Sequence, residues 1–323
     1  MAEFLAALMG PARALPFLGD DDGGRLFHPF GRRDQFGRAS LAACAEWLGQ
    51  HSPCNADSDD YAPLASWWLG RTQGVEGEIK PSGSRLFPNA GIAVMTAGRH
   101  HVVMDAGPFG PWGAGHSHAD SLSLVVRSGA EDILIDPGTF TYVGDSNWRD
   151  WFRSTAAHNT VLIRGGQVDP DGPFRWSGRP KVNVLSWHST SQQDTLEAES
   201  SYNGFTHRRR VILWKHHGVV TIWDQLLGPS EPCAVEQWWH LGSAAQRPRL
   251  ILEAGAEEGA GWRSPVFGRK EATSAVVVRR LSSLPLQMGA ALLLDAVDPC
   301  AVIEGQQLHY RPSSQEVMIT LPL

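Results

Sequence analysis

Three histidines and one aspartate are the residues of this chain whose types and spacing could do chemistry. Two of the histidines stand two positions apart in Gly113-Ala-Gly-His-Ser-His-Ala-Asp120. In an extended segment that spacing puts His116 and His118 on one face. The glycines before them let another backbone or a ligand come close. Eighteen residues after His118, the apolar run Ile133-Leu-Ile ends in Asp136, just before Pro-Gly. A further 22 residues on, Ser154-Thr-Ala-Ala-His158-Asn159 leads into Val161-Leu-Ile. Three neighbouring strands would then each deliver one ligand, and zinc accepts His118, Asp136 and His158 with bonds of roughly 2.0–2.2 Å. A fourth position would remain for water or another group. Asn159, Asp120 and Ser117 are candidates to orient the imidazoles from behind. The bland alternative is a set of hydrogen-bonded histidines at strand ends. His116 shares a face with His118, so it also reads as a fourth ligand.

Residues able to meet an anion or a sugar cluster nearby. From Asp145 to Lys181 the chain holds Arg149, Arg153, Arg164, Arg175, Arg179 and Lys181 against Asp145, Asp150, Asp169 and Asp171. Guanidinium forks suit carboxylates. Arg149 and Arg153, adjacent to the His158 motif, are the expected substrate contacts, with ordinary surface charge as the alternative. Tyr142 could donate a proton or stack on a sugar. Trp148 and Trp151 could stack too, or pack beneath the loop. The 13 tryptophans against 4 tyrosines agree with sugar binding, although core packing accounts for most indoles. His207-Arg-Arg-Arg210 reads as one exposed strand end rather than a second polyanion site.

These residues need a scaffold, and the chain's 323 residues with 42% hydrophobic content can bury a sizeable core. The net charge of −6 argues against non-specific nucleic-acid binding. No window reaches the roughly 20 apolar residues that span a bilayer. The apolar start, Met1 to Pro16, contains Glu3 and lacks a basic lead, so no signal peptide is expected. Four scattered cysteines suggest neither a disulfide framework nor a metal motif.

Helical spacing predicts a helix over Ala39–Gln50, with Ser40 as N-cap and Gly49 near its end, and a second over Tyr61–Leu69. From Leu86 onward, short apolar or alternating runs separated by turn residues predict strands. Many strands without intervening helices point to a mainly β protein, a large antiparallel β-sandwich. The expected division is 1–75, a helical segment with an acidic junction loop; 76–85, a linker; and 86–323, the β-sandwich domain.

Gly115-His-Ser-His-Ala-Asp120, Asp136-Pro-Gly-Thr139 and Ser154-Thr-Ala-Ala-His-Asn-Thr160 resemble, in order and spacing, the signature of the heparinase II/III family of polysaccharide lyases. Gly19-Asp-Asp-Asp-Gly-Gly-Arg25 is similar to that family's junction between a helical toroid and a β-sandwich. The resemblance implies that the N-terminal helices are the short remnant of an (α/α) toroid. It implies a structural zinc on His118, Asp136 and His158, and a catalytic role for His116. The implied reaction is β-elimination on an acidic, uronic-acid-containing polysaccharide such as a glycosaminoglycan or alginate. It also implies a periplasmic or secreted setting.

In that family a tyrosine and an asparagine or histidine from the toroid complete the site, and this chain begins after that part. A missing toroid domain or a homo-oligomeric partner would have to supply them. Two rival readings follow: a catalytically incomplete module that binds polyanionic carbohydrate, and a zinc hydrolase, which needs a metal-held exchangeable water.

Overall fold

Strands whose side chains alternate bury one face each, and stacking antiparallel sheets is how such faces are covered. The computed structural model describes residues 2–12, 14–24, 33–49, 68–70, 83–242, 249–253, 255–295, 298, 300–311 and 317–320. Helices α1 (Ala2–Met9) and α2 (Arg33–Trp47) come first. Strands β1 (Arg85–Phe87), β2 (Ile92–Ala97), β3 (His100–Asp105), β4 (Leu124–Ser128) and β5 (Glu131–Leu134) follow. Helix α3 (Ser146–Phe152) and a 3-10 turn (Thr155–Ala157) then lead to β6 (Val161–Ile163).

The second half is β throughout its described residues. It comprises β7 (Lys181–Ser189), β8 (Gln193–Tyr202), β9 (Phe205–Trp214), β10 (Val219–Leu227), β11 (Cys233–His240) and β12 (Leu250–Leu252). Then come β13 (Ala256–Val266), β14 (Arg269–Ser282), β15 (Leu286–Leu293), β16 (Val302–Glu304), β17 (Gln307–Tyr310) and β18 (Val317–Thr320).

These strands form a five-stranded meander β1-β2-β3-β4-β5, a six-stranded sheet β12-β15-β10-β9-β8-β7, a four-stranded sheet β13-β14-β11-β6 and a small sheet β16-β17-β18. All recorded pairings between them are antiparallel. One core joins the three larger sheets. Met95, Met104, Leu124 and Ile133 from the meander meet Leu196, Val211, Ile222 and Leu292 from the six-stranded sheet and Trp239 and Val276 from the four-stranded one. The mainly β, sandwich-type architecture expected from the alternation is the one observed.

Helix α1 lies on the meander rather than apart from it. Its Ala7 and Leu8 pack on Ile92, Val94 and Val103, and burying Leu8 contributes roughly 1.5–3 kcal/mol. His101, buried beneath, bonds through Nε2 to the Ala7 carbonyl at 3.0 Å. Helix α2 begins six residues before the expected Ala39, so Ser40 is interior and not a cap. Gly49, at φ +64°, closes its end as anticipated. Most of the helix expected over Tyr61–Leu69 and most of the linker over 76–85 lie outside the described residues, while Trp68 and Leu69 are helical.

The hydrophobic alternation that marks strands is weak in β8 and β13. The inward face of β8 is Asp194, Leu196, Ala198, Ser200 and Tyr202, where polar and small residues hide the alternation. Strand β13 is rich in Glu and Gly and owes its place to pairing with β14. Among the described residues no helix is long and apolar enough to cross a membrane.

Candidate active and metal site

The site forms where three connections converge on one end of the meander. The loop from β3 to β4 carries His116 and His118, and it is not the extended strand the spacing suggested. Successive turns, Ala114 N–H to Pro111 O at 2.9 Å and Ser117 N–H to Ala114 O at 3.0 Å, coil it instead. Trp112 and Ala114 accordingly take positive φ, at 49° and 53°. At Gly115 a Cβ would stand 2.9 Å from the Phe174 carbonyl, so glycine is needed for the close approach.

Asp136 follows β5, and the Gly138 N–H donates to its Oδ1 at 2.9 Å, fixing the carboxylate by an Asx-type turn. His158 follows the 3-10 turn. The hydrogen bonds of the Asn159 side chain go to backbone rather than to an imidazole. It staples three segments by donating to Leu124 O and Ile135 O and accepting from the His240 N–H.

His118, Asp136 and His158 are buried, with one ligand atom from each lying within 4.8 Å of the others. His158 Nδ1 bonds Asp136 Oδ2 at 2.9 Å, and His118 Nε2 bonds Asp20 Oδ1 at 3.0 Å. The other nitrogens, His118 Nδ1 and His158 Nε2, are buried without a hydrogen-bond partner. Leaving such groups bare costs about 1–3 kcal/mol each. A cation at His118 Nδ1 would remove that cost there, and with ligand atoms of Asp136 and His158 within 4.8 Å the three side chains fit a zinc-type ion. The Asp20 carboxylate behind His118 is the support a metal-binding histidine commonly has.

Electrostatics point the same way. Burial lowers the His118 pKa and keeps the ring neutral, the form a metal binds. Burial also pushes Asp120 up to about 8, with Asp105 and Asp136 adding to the rise against the opposing pull of His158. Burial opposes charge on His158 too, but Asp136, Asp120 and Asp105 outweigh it and raise its pKa. Three carboxyl groups thus crowd one imidazole, and a cation beside them would favour their charged forms.

The carboxylate behind His118 belongs to the acidic loop 19–24, some hundred residues earlier in the chain. Asp20 accepts a bidentate pair from Arg149, Nη1 to Oδ1 at 2.5 Å and Nη2 to Oδ2 at 2.7 Å. It also accepts from Thr139 Oγ1 at 3.3 Å and faces His116 Nδ1 at 3.2 Å. Burial works against its charge, yet the hydrogen bonds from His118 and Arg149 prevail and hold the carboxyl well below the usual range.

His116 itself has a side chain 74% exposed. The Tyr142 ring lies 6.2 Å from it, and the Tyr142 hydroxyl donates to Asp22 Oδ2 at 3.3 Å. A cavity of about 150 Å³ opens beside the histidines, bounded by Leu18, Asp105, Phe109, His116, His118 and Asp120.

The two arginines expected to grip substrate are instead buried structural members. Besides Asp20, Arg149 donates to Pro173 O and Gly115 O. Arg153 spends its donors on Asp150 and on the carbonyls of Gly172, Pro173 and Arg175, with its plane 4.4 Å above the Trp176 ring. A buried guanidinium is tolerable only when so satisfied, and the burial of both side chains keeps them from reaching outward. Trp148 is half-buried, edge-on to Trp262 at 5.0 Å with Lys270 Nζ 4.4 Å from its ring, a packed position.

Two residues escaped sequence reading. Asp20 was visible only as one of three consecutive aspartates in a junction loop. Trp112, in the loop of His116, is 91% exposed, and its lone indole carried no periodic signal.

The chain matches the heparinase II/III-like C-terminal family over residues 79–282. A heparin-sulfate lyase of Bacteroides stercoris is 24% identical over 207 residues, which are 61% of this chain and 29% of that protein. The crystal structure of heparan sulfate lyase HepC from Pedobacter heparinus superposes with a TM-score of 0.68 at 16% identity, over 98% of this chain and 51% of that one. A crystal structure of heparinase III gives 0.67 at 14% identity, over 99% and 54%. The structural likenesses establish the fold, and the chain spans about half the length of these solved relatives. With the family match covering more than half of its residues, the chain belongs to the heparinase II/III-like family.

Proposed function

We propose that the chain is part of a polysaccharide lyase that cleaves uronic-acid-containing acidic polysaccharide by β-elimination. The observation that carries this reading is the pairing of an exposed His116 with a neighbouring buried donor set. An imidazole in solvent contact, anchored through Nδ1, offers Nε2 to a proton next to a substrate carboxylate. Imidazoles as a class suit proton transfer near neutrality.

Tyr142 is a candidate to protonate the leaving glycosidic oxygen. Burial first, then Asp20 and Asp22, raises its pKa, so the hydroxyl keeps its proton at neutral pH. A zinc ion on His118, Asp136 and His158 would brace the loop of His116, since elimination needs no attacking water. With Arg149 and Arg153 occupied, the substrate carboxylate would meet exposed groups at the rim. Arg175, which follows the half-exposed Phe174 of the His116 surroundings, is the candidate.

The test is to incubate the purified chain with a panel of uronic-acid polymers and follow ultraviolet absorbance of unsaturated products. Product that disappears in His116→Ala supports the assignment, and absence of product from every polymer rejects autonomous activity. The alternative is a catalytically incomplete module that binds polyanionic carbohydrate, favoured by the exposed Trp112 and Arg175 beside His116. That reading expects salt-sensitive binding without turnover.

A further inference from the structure

We infer that Asp20 is a positioning residue whose carboxylate assigns opposite tautomers to His116 and His118, turning Nε2 of the first toward solvent and Nδ1 of the second toward the metal-ligand cluster. The inference deepens the site reading above and rests on it only for the chemical use of the two nitrogens. The tautomers themselves follow from the hydrogen bonds.

Asp20 sits with its side chain fully enclosed and its two oxygens shared among four partners. Oδ1 receives Arg149 Nη1, His118 Nε2 and Thr139 Oγ1, while Oδ2 receives Arg149 Nη2 and His116 Nδ1. The bidentate Arg149 fork keeps the group a carboxylate, and a carboxylate can only accept. Each histidine nitrogen that faces it must therefore carry the hydrogen. His118 is then the Nε2–H tautomer, with a bare Nδ1. That is the nitrogen found buried without a partner. His116 is the Nδ1–H tautomer, with its bare Nε2 on the exposed side of the ring. Two histidines two positions apart thus receive different assignments from one acid.

The backbone holds the acid in register. The Asp20 N–H donates to His116 O at 3.1 Å, and the Asp21 N–H to Thr139 Oγ1 at 3.0 Å. At Gly19, φ +62°, a Cβ would come 3.0 Å from that same His116 carbonyl, so the loop needs glycine to dock this closely. The aspartate-rich loop thereby becomes a part of the site as well as a connection.

The test is two-bond proton–nitrogen correlation NMR on the full chain labelled with nitrogen-15 in histidine, above the ordinary imidazole pKa of about 6.5. The wild-type protein should show His116 as Nδ1–H and His118 as Nε2–H. Either histidine in the opposite tautomer overturns the inference, and this needs no variant to fold. Asp20→Asn offers one acceptor oxygen in place of two. It should release at least one of the two histidines from its assigned tautomer and weaken binding of zinc alone about 10–100-fold. Unchanged tautomers and zinc affinity in folded Asp20→Asn also overturn it. His207 should keep its resonances in that variant, which separates a local effect from general loosening. Lyase assays are read separately: assigned tautomers in an inactive chain would reject the proposed activity and leave the role of Asp20 standing.

Discussion

The chain uses the same trio of a buried aspartate, a bidentate arginine and histidine twice, for different ends. Asp224 on β10 receives Arg209 through Nε at 2.7 Å and Nη2 at 2.8 Å, His207 Nε2 at 2.7 Å and Gln237 Nε2 at 2.9 Å. Asp20 receives Arg149, His118, His116 and Thr139. Every donor to Asp224 comes from a strand of the sandwich and is enclosed, whereas Asp20 and its donors come from connections, with one imidazole in solvent. His207 even has a bare buried Nδ1, as His118 does. Yet among the described residues the group suited to a metal is His118, Asp136 and His158. A bare nitrogen can therefore serve as a ligand only where other donors converge on it, and loops achieve that convergence here.

The two clusters are also connected. Arg209 Nη1 donates to Leu122 O at 2.8 Å and to Asn159 O at 2.6 Å. Leu122 has φ 65°, a conformation a branched residue keeps only when its surroundings impose it. The core trio thus pins the residues just after His118 and just after His158. One cluster is the footing of the other.

Breaking the footing should have the largest effect. Asp224→Ala strands a buried Arg209 and should cost about 3–5 kcal/mol in a denaturant titration, with weaker metal retention as a consequence. A loss below about 1 kcal/mol would show that the trio does not brace the sandwich.

Next comes the contrast between the two bare nitrogens. Metal analysis should find about one zinc per chain, lost in His118→Ala together with stability, and retained in His207→Ala whenever that variant folds. His116→Ala should keep the metal. If it empties the site, His116 is a ligand and not a free base.

Acid offers a third separation. Burial opposes the Asp224 charge, but Arg209 and His207 outweigh it and depress the folded pKa below the ordinary value of about 3.9. The unfolded chain then binds the proton first. The stabilisation is complete above about pH 4 and is lost as pH falls further, toward the folded pKa. Asp224→Asn should be less stable at neutrality and lose less between about pH 4 and pH 2 than the wild type.

The smallest effect should come from the open side of the site. Trp112→Ala should change stability by no more than about 0.5 kcal/mol, since the indole packs on little. If it is a sugar platform, uronate oligosaccharide binding should weaken in the same variant. Unchanged binding would assign Trp112 no role there.

Much of this was legible without coordinates. The metal-ligand types stand at the ends of apolar runs, and short-range alternation encodes where strands end. Ile92–Ala97 was readable as a continuous apolar run and Cys233–His240 from its partial alternation, since both patterns report burial directly. The role of Arg149 was not, because a guanidinium in the sequence looks the same whether it meets a substrate or a buried aspartate.

By itself, then, the sequence determined the β architecture and offered His118, Asp136 and His158 as candidate ligands, with His116 beside them. Those are properties of residue type and local spacing. Tertiary structure alone decided which carboxylate stands behind the histidines. Asp20 meets His118 across 98 positions and Arg149 across 129. Closing loops of that length costs an entropy that grows only slowly with length, so nothing in local spacing marks the partner. The packing of the acidic loop against the meander selects it, and that same packing sets which nitrogen each histidine presents.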